Sequence, residues 1–213
     1  LTGIHIGRYH DGSTNLAGLL RAILNETDIQ RMRLSSIESQ EVNEELMSII
    51  SETNRIARYI HLPLQSGSDA VLERMHRPYR TELFRDVVTA LVDRVPDVGI
   101  GTDVIVGFPA ETDEEFEDTY RLLDELPIYN IHAFRFSPRA GTPAHSYKDQ
   151  ISGRIKSERM TKLQQLRTAK RAAFMRCYIG RSQSYLIERS ENGIANGTSS
   201  NYIHCLTQNP DAK

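Results

Sequence analysis

Gly99-Ile-Gly-Thr-Asp-Val-Ile-Val-Gly-Phe-Pro-Ala-Glu-Thr-Asp-Glu-Glu-Phe116 places a strand, a turn and a helix start in immediate succession. Residues 99–106 end in a run of types that bury well, the pattern of a strand inside a parallel sheet. Gly107-Phe108-Pro109 stops that strand, since proline cannot donate to a ladder. Thr112-Asp113-Glu114-Glu115 then has the form of a capping box, with Thr112 as N-cap and Glu115 reaching back. The helix it opens is expected to bury Phe116, Tyr120, Leu123 and Leu126.

The same alternation extends in both directions. Upstream, strands are expected at Leu1–Ile6, Arg31–Ser36 and Tyr59–Leu64, with helices at Asn15–Leu24, near Glu41–Ser51, and over Asp69–Arg94 with a break around Pro78. Downstream come a strand at Asn130–Phe136 and a long basic helix at Ile155–Cys177. Short β runs alternating with amphipathic helices are the mark of βαβ units, so the fold class is α/β with a parallel barrel-type sheet. After Gly180 the style changes. Gln183–Arg189 and Asn201–Leu206 read as two strands of an antiparallel hairpin around a Gly/Asn/Ser turn at Ser190–Ser200. A boundary therefore falls near residues 180–182, giving a barrel domain over 1–181 and an appended β domain over 182–213.

Hydrophobic residues at 39% leave enough apolar surface for a real core in 213 residues. A net charge of −2 gives no overall pull toward nucleic acid or membrane, so any basic surface must be local. Cys177 and Cys205 are too few for a disulfide scaffold and lack metal-ligand spacing, which points to free thiols in a reducing, cytoplasmic setting. No apolar run is long enough to span a bilayer. The chain starts at Leu1 inside an apolar stretch, and it stops soon after a hairpin too small to be stable alone. It is expected to be a segment truncated at both ends.

In parallel β/α barrels, ligands lie at the carboxyl ends of strands. That rule singles out Gly3–Tyr9, Ser35–Glu38, Gln65–Asp69, Asp103–Glu111 and Arg135–Thr142. Gln65-Ser66-Gly67-Ser68-Asp69 offers an amide, hydroxyls and a carboxylate around a glycine that lets backbone approach a ligand; alternatively Ser68 or Asp69 simply caps the next helix. Asp103 could hold a polar ligand group, with Gly107 letting a flat ring pack on backbone, or it could be a buried carboxylate satisfied by a neighbouring strand. Arg135 and Arg139 could grip an anion or remain a solvated pair. His5, His61 and His132 lie on expected strands, where a core or rim role outweighs a metal site. No nucleophile elbow, P-loop or dinucleotide fingerprint occurs.

The helix after Ile155 and the segment beyond it carry Arg154, Lys156, Arg159, Lys162, Arg167, Lys170, Arg171, Arg176 and Arg181 against a single acid, Glu158. A solvated face is the ordinary meaning of such a run. Here it feeds a β domain bearing Asn201-Tyr202, a pair suited to phosphate contact and base stacking, which favours RNA.

Six segments together resemble one family, the radical S-adenosylmethionine methylthiotransferases. They are Leu1-Thr-Gly-Ile-His-Ile-Gly-Arg-Tyr9, Arg33-Leu-Ser-Ser-Ile-Glu38, His61-Leu-Pro-Leu-Gln-Ser-Gly-Ser-Asp69, Gly101-Thr-Asp-Val-Ile-Val-Gly-Phe-Pro109, Phe134-Arg-Phe-Ser-Pro-Arg-Ala-Gly-Thr142 and Asn201-Tyr-Ile203. The first loop is most similar to the branch acting on threonylcarbamoyl-adenosine beside the tRNA anticodon. The isopentenyl-adenosine and ribosomal-protein branches differ there.

The resemblance implies a partial (β/α)6 barrel lacking its first strand, followed by a truncated small antiparallel β domain of the TRAM or OB-like type. It implies S-adenosylmethionine as cofactor, 4Fe–4S clusters in the parent protein and tRNA as partner, without a membrane; the sulfur donor is unknown. Carried over by position, the cofactor would meet Thr2, Gly3, Ser35, Ser36, Gln65, Ser66, Asp103, Gly107, Phe134 and Phe136. RNA would meet Arg139, Lys170, Arg171, Arg181, Asn201 and Tyr202. No catalytic residue is assigned. Two departures matter. Ala110 replaces a glycine usual in the family turn, which is harmless if φ there is negative. The family's three-cysteine loop is absent, so this chain is expected to hold no cluster and, by itself, to be inactive. The competing expectations are a non-catalytic RNA-binding fragment and an ordinary small-molecule β/α barrel enzyme.

Overall fold

The computed structural model describes residues 1–208; residues 209–213 of the expected appended domain lie outside the described residues. Strands β1 (His10–Asp11) and β2 (Thr14–Asn15) make a short hairpin before helix α1 (Leu16–Glu26). Helix α2 (Glu44–Glu52) leads to β3 (Tyr59–His61), then α3 (Asp69–Arg74), α4 (Thr81–Arg94), β4 (Gly99–Val106), α5 (Asp113–Glu125), β5 (Ile128–Arg135) and α6 (Gly153–Arg176). β3, β4 and β5 form a parallel sheet in that order. Single parallel bridges, Met32 to Ile56 and Gln65 to Val104, extend the pairing beyond the named strands.

One apolar core holds the sheet to its helices. Ile60, Leu62, Ile100, Val104, Val106, Ile128 and Ile131 meet Leu20, Ile49, Ile50, Phe84, Val88, Leu91, Phe116 and Leu123. Each fully buried side chain of this kind is worth about 1.5–3 kcal/mol. The Thr112–Glu115 capping box forms as expected, with the Glu115 amide donating to Thr112 Oγ1 (3.1 Å) and the Thr112 amide to Glu115 Oε2 (2.9 Å). Phe116, Leu123 and Leu126 are buried behind it, while Tyr120 is half-buried.

Several expectations are corrected. Leu1–Ile6 is not a strand. Its only ladder-like contacts are Ser35 N to Leu1 O (3.0 Å) and the Leu1 amine to Arg33 O (2.7 Å), and His5 at φ 53° turns the chain into a 3-10 turn at Ile6–Arg8. Arg31–Ser36 is extended but pairs only through Met32. Ala110 has φ 61°, so the condition for a harmless alanine is not met. The appended part is a three-stranded meander, β6 (Tyr185–Glu191), β7 (Ile194–Ser199) and β8 (His204–Gln208). Its middle strand occupies the expected turn, because Ala195, Gly197, Thr198 and Ser199 are buried.

The meander is joined to the barrel mainly by main-chain acceptors, with the hydroxyls of Ser184 and Ser200 accepting from Arg31 Nη2 (3.3 Å) and Arg58 N (3.0 Å). Tyr129 Oη donates to the carbonyls of Asn201 (2.9 Å) and Tyr202 (3.1 Å). Arg31 donates to Thr198 O (3.2 Å) and Arg33 to Ser199 O (2.8 Å). Among the described residues no helix is long and apolar enough to cross a membrane.

Candidate functional site

Alternation along β3–β5 sorts the sheet into two faces. Ile60, Ile100, Val104 and Ile131 face the helices. Tyr59, His61, Gly101, Asp103, Ile105, Asn130, His132 and Phe134 share the other, concave face, since Gly101 is opposite His61 and Asn130, Asp103 opposite His132, and Ile105 opposite Phe134.

The lower half of that face, at the strand starts, is a connected polar column. Asn130 Nδ2 donates to Tyr59 Oη (2.9 Å) and lies 2.9 Å from His132 Nε2. Tyr59 Oη is 3.4 Å from His61 Nδ1, and His61 Nε2 is 3.1 Å from Asp103 Oδ1. Gly101 makes the arrangement possible, because a Cβ there would collide with the Tyr59 hydroxyl. Burial pushes the Tyr59 phenol up to about 12. Burial, followed by the neighbouring His61, holds His132 below the ordinary imidazole range. Sequence reasoning missed Tyr59 and Asn130: nothing local signals that a glycine at 101 makes room for a tyrosine at 59.

Within the column Asn130 Oδ1 is itself buried without a partner, and the upper half, at the strand ends, is the more open part of the face. Gln65 has φ 68°, its amide donates to Asp103 O (2.8 Å), and its carbonyl accepts from Ile105 N (2.9 Å). Phe134 is 53% exposed. On the neighbouring extended segment, Ser35 Oγ is buried without a hydrogen-bond partner, and Ser36 is exposed. Thr2 and Gly3 are exposed and line a cavity of about 540 Å³ with Leu1, Tyr9, Leu16 and Leu19.

Three of the expected cofactor positions serve other purposes in the structure. Ser66 is fully buried and turned away, within 3.3 Å of Thr119 Oγ1 on α5. Gly67 admits that helix, since a Cβ would sit 2.5 Å from Thr119 Cα; the glycine is there for packing. Gly107 (φ 73°) is covered by the Lys156 stem, and Lys156 Nζ donates to Phe136 O (3.0 Å). The Phe136 ring meets Phe108 edge-on at 5.1 Å. Glu111, a positioning residue that sequence reasoning did not single out, fixes this turn: its Oε2 accepts from Gly107 N (2.6 Å) and Arg159 Nη1 (2.5 Å). Burial raises the Glu111 carboxyl, opposed by the Gly107 amide and the Arg159 charge.

The basic helix divides in the same way. Arg159 is buried against Glu111 and Asp113. Lys170 Nζ caps α5 through Asp124 O (2.6 Å) and Leu126 O (2.8 Å), and Arg181 pairs with Asp97 (3.0 Å). Lys170 and Arg181 are therefore already used within the fold. Arg171, half-buried, acts electrostatically on Tyr59 and His132. Arg139 is exposed on the loop before the 3-10 turn at Pro143–His145. Asn201 is buried at the joint with the barrel, and Tyr202 stacks on Tyr59. Neither is a free surface group.

A family model described as the Radical SAM superfamily matches residues 7–123, and the chain belongs to that superfamily. It is 41% identical over 175 residues to the threonylcarbamoyladenosine tRNA methylthiotransferase MtaB of Aquifex aeolicus, covering 82% of this chain and 43% of that protein. With the MtaB protein of Bacillus subtilis the figures are 39% over 166 residues, 76% and 37%. A tRNA-2-methylthio-N(6)-dimethylallyladenosine synthase of Bdellovibrio bacteriovorus is 34% identical over 212 residues, covering 97% and 47%. Each of these relatives is named for a methylthio modification of tRNA. The chain spans less than half the length of each of them. Coproporphyrinogen III oxidase of Escherichia coli, a solved radical SAM enzyme, shares the fold at TM-score 0.58 and 16% identity, over 71% of this chain and 36% of that one.

The family implies S-adenosylmethionine and iron–sulfur clusters. Among the described residues no group of three His, Cys, Asp or Glu side chains could hold a metal, and Cys177 and Cys205 donate to Ala173 O and Ile203 O. A cluster does not fit these residues. S-adenosylmethionine fits better, because the orphaned Ser35 Oγ and the open positions at Gln65, Asp103 and Phe134 offer polar and stacking contacts.

Proposed function

We propose that this chain is the cofactor- and RNA-facing portion of a tRNA methylthiotransferase acting on threonylcarbamoyl-adenosine beside the anticodon, in the cytoplasm. The observation that carries the reading is the asymmetry of the concave face: polar side chains linked to one another below, and at the strand ends an exposed aromatic, Phe134, and the unpartnered Ser35 Oγ. That is the end at which β/α barrels bind ligands. When bound, S-adenosylmethionine supplies the methyl group and the adenosyl moiety, and the protein supplies binding and orientation.

In this reading His61 holds Asp103 toward a polar group of the cofactor, Phe134 offers a face for a purine, and Thr2, Gly3, Ser35 and Ser36 approach the cofactor from the side. Of the basic residues expected to meet RNA, Arg139 and Arg171 are the two not engaged within the fold, with residues 182–213 as an appended RNA-binding domain. The branch assignment is supported by the higher identity to the threonylcarbamoyladenosine enzymes. The first loop, on which the branch resemblance rests, is held by His5 Nδ1 (3.0 Å) and Arg8 Nε (3.1 Å), both meeting Glu41 Oε1.

The test is complementation. The complete reading frame encoding this chain is placed in a strain lacking both adenosine methylthiolations, and its tRNA nucleosides are analysed by mass spectrometry. A methylthio group on threonylcarbamoyl-adenosine is expected. Its appearance only on isopentenyl-adenosine would transfer the protein to the other branch, and no methylthio nucleoside would overturn the enzyme reading.

A further inference from the structure

Tyr202 belongs to the meander but completes the barrel. With φ 70° it turns back from the β7–β8 connection, and its ring stacks on Tyr59 at 4.5 Å between centroids and 19° between planes. The Arg33 guanidinium lies 5.0 Å from the same ring. The hydroxyl of Tyr59 is the lowest member of the polar column, in reach of Asn130 and His61. A consistent proton assignment follows from donor and acceptor roles. The His61 Nε2–H donates to Asp103, so its Nδ1 accepts from the Tyr59 hydroxyl. Asn130 Nδ2 donates to both Tyr59 Oη and His132 Nε2. The orientation of Asp103 therefore depends on where the Tyr59 ring sits, and Tyr202 covers that ring.

We propose that Tyr202 is a positioning residue for Asp103, acting through Tyr59 and His61, so that docking of the antiparallel sheet sets the geometry of the strand-end site. Its functional meaning rests on the reading of Asp103 as a cofactor contact. Coupling of this kind is reciprocal: a ligand that favours the aligned Asp103 favours the docked sheet, and an RNA that holds the sheet docked favours the ligand.

The test is NMR of the histidine ring nitrogens in the whole chain, comparing the unchanged protein with Tyr202→Ala, Tyr202→Phe and Tyr59→Phe. The groups facing His132 are His61, Asp103, Asn130, Arg167 and Arg171. Tyr202→Ala admits water to the column, so the His61 ring signals shift and the His132 midpoint rises toward the ordinary range. Tyr59→Phe keeps the stack but removes the hydroxyl, and it also shifts the His61 signals. Tyr202→Phe keeps the stack and leaves both histidines unchanged. Unaltered histidines in a folded Tyr202→Ala protein would overturn the proposal. If that variant does not fold, unaltered histidines in Tyr59→Phe overturn it instead. In a second arm, equilibrium dialysis with S-adenosylmethionine is expected to show about ten-fold weaker binding in Tyr202→Ala. Histidine shifts with unchanged affinity would keep the coupling and sink the reading of Asp103 as a cofactor contact.

Discussion

The two ends of the concave face are built on opposite terms. At the strand starts, Tyr59, His61, Asn130 and His132 are linked by hydrogen bonds with only Asn130 Oδ1 buried and unpartnered, and Tyr202 stacks on Tyr59. At the strand ends, Phe134 is exposed, Ser35 Oγ has no partner, and Gln65 and Ala110 hold left-handed backbone. A linked, stacked end resists change, whereas an end with an exposed ring and an unpartnered hydroxyl is where a ligand gains most.

The largest expected effect probes the support under the upper turn. Arg159→Met leaves the Glu111 carboxylate buried without its cation and should cost about 3–5 kcal/mol in urea unfolding. A loss under about 1 kcal/mol would show that the turn can rearrange. Next, Gly101→Ala drives a methyl into the Tyr59 hydroxyl, and overpacking should cost about 1–3 kcal/mol with the column disrupted. At the open end the sign reverses: Ala110→Gly relieves a left-handed alanine and should stabilise by roughly 1 kcal/mol, read as a raised melting temperature. If it destabilises, that turn is not strained.

A smaller effect separates the arginines. Arg171→Gln should flatten the log–log salt dependence of tRNA binding by about 0.9, one lost phosphate contact, while Arg181→Gln, whose charge is spent on Asp97, should leave it nearly unchanged. The smallest is in pH. His132 titrates below its unfolded value of 6.5, so the unfolded state binds the proton first. Stability should therefore fall as pH drops from about 6.5 toward the lower folded value. His132→Asn should flatten that limb of the stability profile.

The fold was legible wherever its causes were local. Gly99–Val106 and the Thr112 cap carry their own instructions, so strand and helix fall where expected. Ile194–Ser199 does not: its small residues suit a strand only because the barrel and its neighbours bury them. The site was less legible because its partners are distant. Arg159 looks like surface charge until Glu111, 48 residues away, comes to meet it. Ser66 looks like a ligand hydroxyl until α5 arrives with Thr119.

The joint between the two sheets has a consequence for how such a protein can diverge. Arg31, Arg33 and Tyr129 grip the carbonyls of residues 198, 199, 201 and 202, and every amino acid presents a carbonyl. Most side chains along that edge can thus drift without unfastening the sheet, Ser184 and Ser200 excepted, whose hydroxyls accept from Arg31 Nη2 and Arg58 N. Selection is left to act on those two hydroxyls, on the buried Asn201 and on Tyr202, whose ring stacks on Tyr59 of the barrel.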